Sequence, residues 1–538
     1  MIKVVRLSLG LRSFRVPAVI LGAALLFPAS ASGPRRPPAG AQAVFAWNDL
    51  GMHCYDSDFS VLSMLPLFNV VHAQVVLRGD PPRLMTNAEA AATYRAEADA
   101  SGSINTTSRG KTNFWGYVQP LFGLTARPPV DVGLLGAKMP GKANTPRPMA
   151  TYDPVHRLFG ALGIPITAVN DAGKKNPYNL MSVRAKNTAG LGLARLSAVV
   201  PASDEMSCGT CHMSGQVAAR RGGVVWSNDK NPDLQFRKNI LILHDAVKGT
   251  RLFHKQPVLC ASCHYSRALD LKGQGPQTKR PFLSRAIHGF HFSKIVQDPK
   301  GTKTCFYCHP GTTTQCLRGI MAIGGLGCVD CHGNMYAVAR SPRQPWAEEP
   351  KCQSCHTGDA VSHLGATIRL LTAYDGGNPK YATPRIAVNK RFAEEADTTL
   401  YRNSYGHGGL ACEACHGSPH AEWPTGQAND NLAAAALQGF TGKIIDCAVC
   451  HTNPARTVSG PHGLHNVNAS IWWNDGHSGF YEASPASCKA CHGTTLDGTE
   501  LSRVPTARSF AVEDKTVSLR AGTSVGCILC HEKPGSGD

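Results

Sequence analysis

The chain has 538 residues, with 55 lysines and arginines against 37 aspartates and glutamates, a formal net charge of +18. Large aromatics make up 7% and charged residues 17%, while glycine (54) and proline (36) together fill about one position in six. This excludes a low-complexity chain but leaves few core-forming side chains for the two to four domains that the length suggests, and so basic a balance first points to nucleic acid or an anionic surface.

Residues 1–31 read as a secretory signal: Lys3, Arg6, Arg12 and Arg15 precede the apolar run Val16–Pro28, and Ala29-Ser30-Ala31 supplies small residues for cleavage. The run is too short to span a bilayer, and no later stretch approaches eighteen apolar residues, so no transmembrane segment is expected after signal removal. Residues 32–42, rich in Pro, Gly, Ala and Arg, read as a flexible leader. Residues 43–200 are expected to form a small β-rich domain, with strands at Ala43–Trp47 and Asn69–Leu77 and a polar stretch, Asn105–Tyr117, ending in aromatics. Its opening, Asn48–Asp58, gathers Met52, His53, Cys54, Asp56 and Asp58, which invites a metal-site reading, a distal iron-ligand role for His53 or His72, or plain packing.

Residues 201–538 carry the decisive pattern. Eighteen of the twenty cysteines form nine Cys-x-x-Cys pairs, each followed at once by histidine, starting at Cys208, Cys260, Cys305, Cys328, Cys352, Cys412, Cys447, Cys488 and Cys527. Chance would give roughly 0.03 such pentapeptides in a chain of this composition. Two thiols three positions apart add to the two vinyl groups of one haem edge, and the next residue is held beneath the ring to ligate iron. The tethers are then Cys208 and Cys211, Cys260 and Cys263, Cys305 and Cys308, Cys328 and Cys331, Cys352 and Cys355, Cys412 and Cys415, Cys447 and Cys450, Cys488 and Cys491, and Cys527 and Cys530. The proximal ligands are His212, His264, His309, His332, His356, His416, His451, His492 and His531. Structural zinc would pair nine motifs two by two with one left over, and neither zinc nor disulfide exchange asks for the following histidine.

With nine such motifs the chain resembles a multihaem c-type cytochrome, similar to bacterial periplasmic and outer-surface cytochromes of extracellular electron transfer. The segment His288-Gly289-Phe290-His291 is similar to the histidine-rich segments that precede haem motifs in the outer-surface members. Reductases on multihaem scaffolds often place lysine where the motif histidine stands, and no Cys-x-x-Cys-Lys occurs here.

Ten further histidines lie in the haem region and form a pool of distal ligands: His244, His254, His288, His291, His363, His407, His420, His462, His465 and His477. Ten for nine irons matches bis-histidine ligation, with Met206, Met213, Met321 and Met335 as alternatives for single sites. The pairs His288/His291 and His462/His465 stand one helical turn apart, so each pair can serve two neighbouring haems. Motif starts average about 40 residues apart, too close for a domain between haems, so the fold class is a haem-organised array of short helices and loops with little regular sheet, in which buried porphyrin replaces an aromatic core. The motifs at Cys305, Cys328 and Cys352 are the most closely strung and are expected to be close in space, the insert 357–411 is the longest without a motif, and Asp430–Gly439 reads as a helix capped by aspartate. Cys54 and Cys316, outside the motifs, can form a disulfide or remain thiols.

The functional expectation is a secreted electron carrier, periplasmic or on the outer cell surface, with nine covalent haem c groups. Its partners would be donor and acceptor redox proteins or an outer-membrane conduit, and self-assembly is open. The competing readings are a multihaem redox enzyme with one open iron and a binding or assembly module. The positive charge no longer calls for nucleic acid: signal removal takes four basic residues and no acid, and nine haems would bring eighteen propionates to offset the rest.

Overall fold

The computed structural model describes residues 40–298, 301–341, 343–349, 352, 400–453, 460–467, 469–473, 475–504, 506–512 and 515–531. The expected signal, nearly all of the leader, Cys355, His356, His363 and most of the insert 357–411 lie outside these residues.

Apolar runs near the N-terminus build two sheets. The first has the order β1 (Gln42–Trp47), β4 (Val70–Leu77), β9 (Leu158–Leu162), β8 (Thr151–Asp153), with β5 (Arg83–Leu84) also on β4. The second has the order β2 (His53–Cys54), β11 (Gly192–Ser203), β10 (Tyr178–Asn187), β6 (Ala90–Glu97), β7 (Arg147–Pro148). β3 (Leu62–Ser63) pairs in parallel with Val258–Leu259. In the first sheet Phe45 faces Gln74 and Trp47 faces His72; in the second Val183 lies between Tyr94 and Leu196. β6 alternates buried and less buried residues, as one covered face requires, whereas Ala43 to Trp47 in β1 are all buried.

The reason β1 is covered on both faces is that the β domain and part of the haem region share one core. Val44, Phe45 and Trp47 pack in the same cluster as Ala414, Ala434 and Leu437. Expected strands at Ala43–Trp47 and Asn69–Leu77 correspond to β1 and β4, but Asn105–Tyr117 leads into a helix, Phe114–Phe122, that closes the sandwich with Phe114 against Phe59 at 4.9 Å. The expected junction Pro201–Glu205 is partly strand, because β11 runs on to Ser203 and pairs with β2 there.

Beyond β11 the described chain is mostly short helices and turns, with one further hairpin, Arg508–Val512 against Lys515–Leu519. The expected helix near residue 430 runs from Leu432 to Gln438 and ends at Gly439 in the left-handed conformation (φ 87°). Asp430 does not cap it; its carboxylate pairs with Arg318 instead. At Gly51 the β domain meets the haem region closely: the residue has φ 80°, and a Cβ there would stand 2.2 Å from the Pro419 carbonyl oxygen.

Asp56 ties β2 to β3. Its Oδ2 accepts hydrogen bonds from Ser63 Oγ at 3.0 Å and from the Met64 and Leu65 amides at 2.8 Å. Burial nevertheless pushes its carboxyl up to about 6 from an ordinary 3.8, outweighing the Arg237 charge and those hydrogen bonds. Since the folded value is the higher one, this group favours folding fully below pH 3.8, and that advantage fades as pH rises through about 6. Unfolding free energies from denaturant titrations are therefore expected to carry a component falling by about 1.4 kcal/mol per pH unit across that window. Asp56→Asn should remove that component; an unchanged pH slope would show that Asp56 ionises freely in the folded protein.

Candidate haem-binding array

The described cysteine motifs fold as single helical turns, and local geometry explains why. Residues i and i+3 share a face of a helical turn, and i+4 closes it with a backbone bond. That closing bond is present from His212 N–H to Cys208 O (3.0 Å), His264 to Cys260 (3.0 Å), His309 to Cys305 (2.9 Å), His451 to Cys447 (2.9 Å) and His531 to Cys527 (3.1 Å). Each turn thus presents two thiols to one side with the imidazole beside them.

Eight of the nine motif histidines lie among the described residues, and each faces one histidine of the distal pool. The ring centroids are 6.2 Å apart for His212 and His291, 6.4 Å for His264 and His244, 6.0 Å for His309 and His288, and 5.9 Å for His332 and His420. They are 5.9 Å apart for His416 and His462, 6.2 Å for His451 and His407, 6.4 Å for His492 and His465, and 5.5 Å for His531 and His477. Two imidazole nitrogens each about 2 Å from one metal bring ring centroids to about 6 Å, so the spacing is that of two axial ligands. For the last pair the two Nε2 atoms face each other at 3.4 Å.

The outward nitrogens make the donor set chemically suitable. Nδ1 lies against a backbone carbonyl, which only accepts, in His264 (Pro281 O, 2.9 Å), His288 (Ser284 O, 2.7 Å), His291 (Ile287 O, 2.8 Å) and His492 (Val525 O, 2.8 Å). The proton therefore sits on Nδ1, and Nε2 offers its lone pair to the facing ring. Burial, reinforced by facing or neighbouring histidines, lowers His212, His309, His420 and His465 to about 4, so these rings are neutral at pH 7, as ligation requires. A cavity of about 2930 Å³ runs past both cysteines of the motifs at 208, 260, 305, 328 and 412 and past both rings of five of the facing pairs. Paired thiols, paired neutral imidazoles and an apolar channel between them fit covalently held haem.

The helix Leu283–Phe292 sends His288 to His309 and His291 to His212, so one turn serves two motifs as its spacing suggests. His462 and His465 also serve two motifs, but from a short 3-10 turn and the loop after it, with His462 at φ 59°. His254 is exposed, lies against Phe253, and faces none of the described motif histidines. Among the close-strung motifs, Cys305 is within hydrogen-bonding reach of Cys328, and the first motif joins them through Cys208 and Cys308; Cys352 lines the same cavity.

The histidines of the β domain play other parts. His53 Nε2 bonds Asp49 Oδ1 at 2.8 Å, and His72 lies 6.0 Å from the Trp47 ring. Neither stands opposite a described motif histidine, and among the described residues no group of three His, Cys, Asp or Glu is placed to hold a metal ion. Cys54 and Cys316 are free thiols, and Cys316 Sγ lies 3.9 Å from His420 Nδ1. Instead the β domain grips the motif at 412: Trp47 Nε1 donates to Glu413 Oε2 (2.7 Å), while Gln74 donates to Gly409 O (3.0 Å) and accepts from the Ala411 amide (2.9 Å).

Residues 323–537 match the family described as outer membrane cytochrome MtrC/MtrF-like, domains II/IV. The chain is a multihaem c-type cytochrome similar to those of extracellular electron transfer. The matched stretch of the cytochrome contains six of its nine motifs, those from Cys328 to Cys527. No curated protein and no solved structure matches it. Among its described residues no helix is long and apolar enough to cross a membrane. What sequence reasoning missed are the outward partners of the iron-facing rings, notably Asp80 at His451 and Glu349 at His332; Asp80 stands 371 residues from its histidine, and no motif marks it.

Proposed function

We propose that this cytochrome is an exported nonahaem electron carrier in which nearly every iron has two histidine ligands, passing electrons between a donor and an acceptor redox protein at the cell surface or in the periplasm. The observation that carries this reading is the set of eight facing histidine pairs at 5.5–6.4 Å. Haem c, when bound, supplies a reversible one-electron iron couple, and closely spaced copies form a conducting series. The chain's own part is threefold. The motif cysteines would tether each haem through the two vinyl groups of one edge; the paired imidazoles would hold its iron from both sides and leave small ligands no place; and the mostly apolar walls of the cavity would surround the rings. The basic N-terminal run with its apolar stretch supports export.

The test is haem stoichiometry combined with electron paramagnetic resonance of the oxidised protein. Nine haems per chain and a low-spin ferric spectrum are expected. Fewer than eight haems, or a dominant high-spin signal from several of them, would overturn the reading. One exchangeable high-spin haem that binds nitrite or carbon monoxide would favour a redox enzyme.

A further inference from the structure

The iron-facing rings differ in what their outward nitrogens touch, and this difference, which rests on the ligation proposed above, sets irons apart energetically. Four meet neutral carbonyls, as described, and His244 Nδ1 meets the Thr250 hydroxyl at 2.8 Å. His212 Nδ1 is buried with no partner. Among the contacts described, two rings meet carboxylates: His332 Nδ1 is 3.2 Å from Glu349 Oε2, and His451 Nδ1 is 2.9 Å from Asp80 Oδ1.

The two carboxylates are not equivalent. Glu349 Oε2 also takes Arg343 Nη2 at 3.0 Å, so a guanidinium offsets its charge beside His332. Asp80 has neutral partners besides His451: its Oδ2 accepts from Thr452 Oγ1 at 2.9 Å and from the Asn453 amide. Its placement is built in. Gly79 bridges His451 in parallel, the Gly79 amide donates to Cys450 O at 3.2 Å, the Thr452 amide donates back to Gly79 O at 3.4 Å, and Arg78 reaches Ala448 O. The loop between β4 and β5 is thus zipped to the motif at Cys447, with one ionised carboxylate against the outward face of its histidine.

An imidazole whose N–H is held by a carboxylate is a stronger donor through its other nitrogen and favours the more highly charged iron. We propose that Asp80 is a positioning residue that lowers the reduction potential of the iron held between His407 and His451, so that a loop of the β domain sets the energy of one step in the array. Asp80 and His451 retain 34% and 24% exposure, which moderates the effect through water screening.

The experiment is a spectroelectrochemical titration of the full-length holoprotein, with low-spin ferric resonance spectra taken on the same samples. In Asp80→Asn, one couple should move upward by about tenfold in its equilibrium constant, about 59 mV for one electron, with one low-spin component displaced. In Thr452→Val, Asp80 loses a donor and becomes the stronger acceptor, so the same couple should move downward. Glu89→Gln, which removes a β-domain carboxylate paired with Arg83, should leave every couple in place. An unmoved couple in Asp80→Asn, or a uniform shift of all couples, overturns the proposal. If Asp80→Asn loses that haem, Thr452→Val decides, and an unmoved or raised couple overturns it. Failure of the ligation reading shows separately, as a high-spin component in the unaltered protein.

Discussion

Replacing Arg318 by alanine is expected to destabilise the protein by about 3–5 kcal/mol, the usual cost of removing one partner from a buried ion pair. Arg318 Nε and Nη2 hold Asp430 Oδ2 and Oδ1 at 2.6 and 2.9 Å, with both side chains almost wholly buried. The third nitrogen donates to Gly51 O at 2.7 Å, and the guanidinium lies 4.9 Å from the Tyr178 ring centre, so one side chain joins the β domain to two segments of the haem region. In the alanine variant Asp430 keeps only neutral support, such as Thr425 Oγ1 at 2.9 Å. Guanidinium-induced unfolding followed in the far ultraviolet measures the loss. The double variant Arg318→Met with Asp430→Leu should recover much of it, because it removes the stranded charge and retains volume. A single variant within about 1 kcal/mol of the parent would show that water reaches Asp430 freely.

The second large effect is expected at His420. Its ring faces His332 at 5.9 Å, and its backbone has φ 65°, a left-handed conformation that costs a non-glycine residue about 1–2 kcal/mol. A strained residue held there by its surroundings is a frequent mark of a functional position. The amides of Arg318 and Gly319 both donate to His420 O at 2.8 Å, which holds the turn, and the ligand bond proposed here would repay the strain. His420→Gly should relieve the backbone while removing the ligand. One haem in nine should then become high-spin, bind carbon monoxide when reduced, and return to low-spin on adding imidazole. A spectrum identical to the parent's would remove His420 from the ligand set.

What could be read in advance follows from the range over which each interaction acts. Haem attachment demands contiguous residues, so every motif from Cys208 to Cys527 stands out in the linear chain. The distal pool was legible by number, but its pairing was not. His291 answers His212 and not the nearer His264, because the helix Leu283–Phe292 is set by packing that no short window contains. Strands β1 and β4 were visible as apolar runs, whereas the helix Phe114–Phe122, carrying a proline, was hidden behind a polar approach. Asp430 looked like a helix cap since caps are local; its partner Arg318 lies 112 residues away. The same distance hid Asp80. His53 and His72 could not be told from ligands by composition, and only the second sheet and the Trp47 contact separate them.

The facing histidines also bear on the order in which the chain is made. In five pairs the pool histidine precedes its motif: His244, His288, His407, His465 and His477 are synthesised before His264, His309, His451, His492 and His531. On the ligation proposed above, each of these sites would have both its histidines as soon as its pentapeptide emerges. In the other three the facing histidine comes later, after 79 residues for His212, 88 for His332 and 46 for His416. Closing such loops grows costlier only slowly with length, by about 0.6 kcal/mol per doubling, so the delay is one of timing more than of energy. On the ligation proposed above, a chain interrupted before His291 would leave its first haem site with one histidine of its pair.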